Sequence, residues 1–191
     1  LGLAWAFKPL WSPFLELARS KRAVVVAMQF TGAVGLALLA GALQLPAWFG
    51  ASLAVLFVLA YASATHDIAC DGLYMASLDA RRQAAYAGWQ GAFFNASKFL
   101  TLGGLLVLAG HLEKSIGVHH AWSLIFVGLA VLLAALAAYN AWALPAVPNA
   151  EGSDLSLAGI ARTLREVVAD FLRKPGIWLA IVFIVLFRFA E

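Results

Sequence analysis

Two aspartates, Asp67 and Asp71, stand in the stretch Ser63-Ala64-Thr65-His66-Asp67-Ile68-Ala69-Cys70-Asp71-Gly72, within a run otherwise apolar enough to cross a membrane. On a helix, residues at i and i+4 share a face, so the pair lines up with Ser63 before it and Tyr74 after it. An Asp near the middle of a membrane helix costs about 2.5 to 3.5 kcal/mol on insertion scales, and such residues are kept where they meet a partner or a water-filled cavity. Three kinds of chemistry are open to the pair: carrying a proton, binding a polar solute, or anchoring an ion pair that only ties helices together.

Other charges reach a similar depth. At 1.5 Å per residue from the inner ends of their segments, Asp67 lies about 16 Å deep, Lys98 about 21 Å and Arg188 about 18 Å, with Glu191 just beyond. Mutual compensation around one cavity is the simplest reason for such a set, and Lys98 and Asp67 fall close enough in depth to approach each other. His66 lies about 100° round the helix from Asp67, on the face of Cys70. With no second ligand cluster in the sequence, neither a metal site nor any other cofactor is expected. Cys70 is the single cysteine, which excludes an internal disulfide. His111, His119 and His120 fall in or beside an outer loop and are given no role.

The elements that must hold these charges are membrane spans. Hydrophobic residues make up 63% of the 191 and charged residues 12%, a balance far from that of a soluble domain. At about 20 apolar residues per crossing, the sequence divides into the end of one span at 1–14, complete spans at 23–43, 48–78, 84–110 and 121–142, and a further span beginning at 176. The abrupt apolar ends are expected of a piece of a longer chain. The loops after the first, third and fifth segments hold Arg19, Lys21, Arg22, Arg81, Arg82, Arg162, Arg165, Arg173 and Lys174, whereas the alternate loops hold Lys114 alone. The basic set is therefore expected on the cytoplasmic side, and it accounts for the net charge of +3 without a nucleic-acid partner. Trp48 and Trp122 at the outer ends, and Trp11, Trp89, Trp142 and Trp178 towards the inner ends, sit where interfacial anchors belong. Gly32 and Gly35 in one span, and Gly88, Gly91, Gly103 and Gly104 in another, offer smooth faces for close helix contact. Residues 143–175 form a linker, broken by Pro145, Pro148 and Gly152. Its part 155–173 repeats apolar residues at helical spacing and is expected to lie on the inner membrane face.

The run around Asp67 and Asp71, continued by Leu73-Tyr74-Met75, together with Lys8-Pro9-Leu10-Trp11-Ser12-Pro13, resembles the AmpG-type muropeptide permeases. That family belongs to the major facilitator superfamily and is related to acetyl-CoA transporters. The resemblance implies an all-α integral membrane helix bundle in which these segments correspond to the end of the second helix through the start of the seventh. Residues 1–142 would belong to the N-terminal bundle, 143–175 to the cytoplasmic connection, and 176–191 to the first helix of the C-terminal bundle. It also implies a bacterial inner-membrane, multi-pass protein that works as a monomer and imports a bulky muropeptide-like solute with protons. The substrate and proton pathway would be lined by Asp67, Asp71, Arg188 and Glu191, with Ser63 and Tyr74 completing the polar stripe. Two departures stand out. The loop after the family's second helix usually carries a Gly and an Asp before its basic cluster, whereas here Pro13-Phe14-Leu15-Glu16 precedes Arg19, and Cys70 occupies a position expected to hold a small apolar residue.

Two competing readings remain. Another bulky solute, such as acetyl-CoA, would favour a more basic cavity. An intramembrane metal-dependent phosphatidyl-group transferase would need Asp-x-x-Asp-Gly spacing and further aspartates in the next helix. Asp67 and Asp71 are separated by three residues, and no Asp follows in 84–110, so an enzyme is not expected.

Overall fold

The computed structural model describes residues 8, 11, 15, 20–147, 159, 162, 165–166, 169–170 and 172–189, apart from the side chains at 181, 184–185 and 187–189. Every extended element among them is helical. The first, α1 (Lys21–Ala42), starts where Ser20 turns out of an extended conformation and its Oγ accepts from Ala23 N at 3.4 Å. This hydroxyl satisfies one of the backbone donors that a helix start leaves open. A turn through Pro46 leads into α2 (Trp48–Ser77), at 30 residues the longest single helix. Leu78 is extended, and Asp79 then caps α3 (Ala80–Phe99), its Oδ1 accepting from Arg82 N at 2.8 Å. The chain continues through a π-helical turn (Leu100–Leu105) into α4 (Leu106–Ile116). Gly117, at φ 79°, a conformation that side-chain-bearing residues rarely adopt, makes the corner into α5 (Val118–Ala143).

Among the described residues, four stretches are long and apolar enough to cross a membrane: Lys21–Ala42, Trp48–Ser77, Ala80–Ile116 and Val118–Ala143. The chain is thus an all-α, multi-pass membrane protein. The third stretch is longer than the expected 84–110. Asp79 provides a cap ahead of the basic pair Arg81 and Arg82, so those residues extend the helix instead of forming a loop.

Within residues 1–149, α1 is the packing centre, lying against both α2 and α5, while α4 lies against α5. Two glycines make the close approach possible. A Cβ on Gly32 would come within 2.9 Å of Leu133 Cδ2 on α5, and one on Gly35 within 2.5 Å of Leu59 Cδ2 on α2. Lipid tails are as apolar as leucine, so helices in a membrane gain mainly from such close contact and from hydrogen bonds between them. Those bonds recur along the α1–α5 seam. Arg22 donates to the carbonyl of Ala141 in the last turn of α5, where a cation also complements the helix dipole. Asn140 Nδ2 donates to the buried Gln29 Oε1 at 3.1 Å. At the other end Ser123 Oγ donates to Ala40 O at 2.7 Å, and Gln44 Nε2 donates to Ser123 Oγ at 2.7 Å. A small core of Val25, Ala69 and Leu73 joins α1 to α2 near the basic end, with Cys70, Leu144 and Val147 packed against it.

The α3 helix differs. None of its residues is buried, and a Cβ on Gly88, Gly91, Gly103 or Gly104 would meet nothing within 4 Å. The close contact expected of these four glycines is not made among the described residues, because no described helix lies along that face. In the second unit, residues 150–191, Gly176 at φ 79° precedes α6 (Ile177–Phe189). Gly159, Arg162, Arg165, Glu166, Ala169, Asp170, Leu172 and Arg173 are helical, and the charged ones among them are exposed. Most of the apolar positions expected to define the amphipathic helix 155–173 lie outside the described residues.

Gly35→Val should lower stability by about 1–3 kcal/mol through overpacking against Leu59, whereas Gly41→Ala, which meets open space on the same helix, should be near neutral. Thermal unfolding of the purified variants in detergent reads the difference.

Candidate functional site

Asp67 and Asp71 stand on successive turns of α2, and α1 does not cover them: Ala69 and Leu73 are the positions in this stretch that turn into the core, and both aspartates keep contact with the surroundings. The cation that meets Asp67 comes from the N-terminal segment. Lys8 Nζ donates to Asp67 Oδ2 and forms an ion pair with it, with 21% of the Lys8 side chain and 42% of the Asp67 side chain exposed. This half-burial places the pair between a surface salt bridge, which contributes little, and a fully desolvated one, which is costly to break.

The same segment makes two further contacts with α2. The Trp11 ring lies 5.3 Å from that of Tyr61, which in turn sits 4.9 Å from Phe57 one turn away. Leu15 lines a cavity of about 20 Å³ together with Lys21, Val24, Ile68, Ala69 and Gly72. Lys8, Trp11 and Leu15 are all helical, and their spacing of three and four residues turns all three towards one side. Lys8, Trp11 and Leu15 thus flank the α2 face that carries Asp67.

Asp71 is exposed and makes no hydrogen bond or ion pair among the described residues. The charges of Asp67 and Lys8 both act on it. Lys21 of α1 passes close to the adjoining Gly72: its Cδ lies 3.3 Å from where a Cβ would stand. His66 and Cys70 face each other, with Sγ 3.5 Å from Nε2, but no group of three or more metal-ligating side chains occurs among the described residues.

The remaining expected residues scatter. Ser63 is exposed on α2, one turn before Asp67. The Tyr74 hydroxyl donates to Gln83 O at 2.6 Å, while Gln83 Nε2 donates to Leu78 O at 2.7 Å, so Tyr74 braces the corner between α2 and α3. Lys98 lies over the Phe94 ring of its own helix, 4.5 Å from the centroid, immediately before the π-helical turn. The ion-pair partner that the structure gives Asp67 is thus Lys8, not Lys98. Arg188 falls on α6, where its side chain is not described, and Glu191 lies outside the described residues.

Sequence reasoning used Lys8 only as part of a resemblance. A signal was available, because a lone lysine inside an apolar run at helical spacing from Trp11 is itself a charge at membrane depth needing a partner.

Removing either member of the ion pair strands the other, so Lys8→Met and Asp67→Asn should each cost about 1–3 kcal/mol, between the exposed and buried limits. The double variant should recover part of that loss, and a double-mutant cycle on unfolding in detergent measures the coupling. No family model, curated protein or solved structure matches the chain.

Proposed function

We propose that the chain is part of a secondary active transporter of the bacterial inner membrane, importing anhydro-muropeptides from cell-wall turnover with protons. The observation that carries this reading is the ion pair between Lys8 and Asp67, with the exposed Asp71 one turn away, on a helix long and apolar enough to span a membrane. Charges kept at such depth mark solute or proton pathways far more often than they serve packing. Within the apolar stretch of α1 the helix contacts are made by glycines and neutral polar groups, so the aspartates of α2 are not needed to hold α1 against α2 or α5.

The resemblance of the Lys8–Pro13 and Ser63–Met75 stretches to muropeptide permeases supplies the solute class. On this reading the α2 face carrying Ser63, Asp67 and Asp71 lines a path for solute and protons. Arg188 would meet a carboxylate on the peptide stem through a charge-assisted, two-pronged contact.

Cells producing the full-length protein should accumulate labelled anhydro-muropeptide, and a protonophore should reduce uptake to background. Arg188→Ala should raise the apparent KM about tenfold for a carboxylate-bearing solute while leaving an amidated analogue little changed. Uptake indifferent to the protonophore would exclude proton coupling.

A further inference from the structure

We infer that the two aspartates divide the work: Lys8 holds Asp67 as a charged positioning partner, and Asp71 is the carboxyl that takes up and releases the proton. This deepens the transport reading and rests on it. On the described face of α2 stand two carboxylates, and one cation, Lys8, is paired there, with Asp67. Every element packed nearby contributes to the balance. α2 itself presents His66, Cys70 and Tyr74; the N-terminal segment presents Lys8; and α1 presents Lys21, whose Cδ and Nζ lie 3.3 Å and 3.5 Å from where a Cβ on Gly72 would stand. Among the described residues none of these forms a hydrogen bond or ion pair with Asp71. Tyr74 is committed to the Gln83 carbonyl, and His66 faces Cys70.

The aspartates therefore differ in kind although they share a face. Asp67 keeps its charge against a fixed ammonium group, and that contact, with the Trp11–Tyr61 ring contact, holds the N-terminal segment on α2. Asp71 is the more exposed of the two and makes no hydrogen bond or ion pair among the described residues, so protonating it breaks no described contact, whereas protonating Asp67 would break its pair with Lys8.

A hydrophobic carbodiimide tests the assignment without a solute. It adds to a protonated carboxyl: the acid's proton goes to one nitrogen, its oxygen bonds to the central carbon, and the adduct rearranges to a stable N-acylurea from which nothing departs. The intact protein in lipid vesicles is treated with dicyclohexylcarbodiimide and its peptides are analysed by mass spectrometry. The expected label is on Asp71, falling about tenfold per pH unit above its midpoint, with Asp67 labelled at least about tenfold less. Lys8→Met should bring Asp67 labelling up to that of Asp71, whereas Lys8→Arg, which keeps the cation, should not. Equal labelling of the two aspartates in the unmodified protein, an unlabelled Asp71, or an Asp67 unaffected by Lys8→Met overturns the division of roles. Selective labelling of Asp71 in a protein that takes up no muropeptide would keep the assignment and remove the transport reading.

Discussion

A charge within an apolar span persists only beside an opposite charge or water, and in this chain Lys8 and Asp67 meet that condition jointly. Each would be costly alone at membrane depth; together they form a half-exposed pair linking two segments far apart in sequence. The pairing decides which side of α2 stays polar. With Ala69 and Leu73 turned into α1, and Trp11 laid on Tyr61, the aspartates are left on the strip between two packed flanks. The site is what remains of α2 once its neighbours are seated.

Those neighbours are seated by means that need no charge inside the apolar region. Gly32 and Gly35 give α1 two notches, entered by Leu133 from α5 and Leu59 from α2. Neutral hydrogen bonds at Gln29–Asn140 and Ser123–Ala40 fix the register of the α1–α5 seam, and Arg22 closes its basic end on the Ala141 carbonyl. Each seam bond is modest, since the polar groups of unassociated helices also find partners in a membrane. Spread over the length of the seam, they resist sliding better than any one of them resists separation.

Sequence reading and structure agree where composition dominates and part where particular partners decide. The spans at 23–43, 48–78 and 121–142 lie within about two residues of α1, α2 and α5 at each end, apart from the start of α5, because apolar length is the property that defines a span. The common face of Asp67 and Asp71 was likewise legible, since i and i+4 share a face. The partner of Asp67 was not. Depth counting treats all cations at one level alike and so set Lys98 and Arg188 near Asp67 without choosing between them, whereas the structure lays Lys98 on Phe94 within its own helix. Tyr74 shows the same limit. Its place on the polar stripe follows from spacing, but the fate of its hydroxyl depends on the Leu78–Asp79 corner, which brings the Gln83 carbonyl within reach.

The corner has a mechanical consequence for the aspartates above it. α2 is braced at its basic end by Tyr74–Gln83, Gln83–Leu78 and the Asp79 cap, and along its core side by Val25 and the Gly35–Leu59 notch. To shift α2 against α1 would open a close-packed seam and undo several hydrogen bonds at once. The described contacts between α2 and the N-terminal segment are fewer: one ion pair, one ring contact and the lining of a small cavity. A charged solute competing for Lys8 or Asp67 loosens the ion pair and leaves the braced side intact. The contact with least to lose is therefore also the one that a charged solute can alter directly, which ties the electrostatics of the aspartate face to the seating of Lys8, Trp11 and Leu15 on α2.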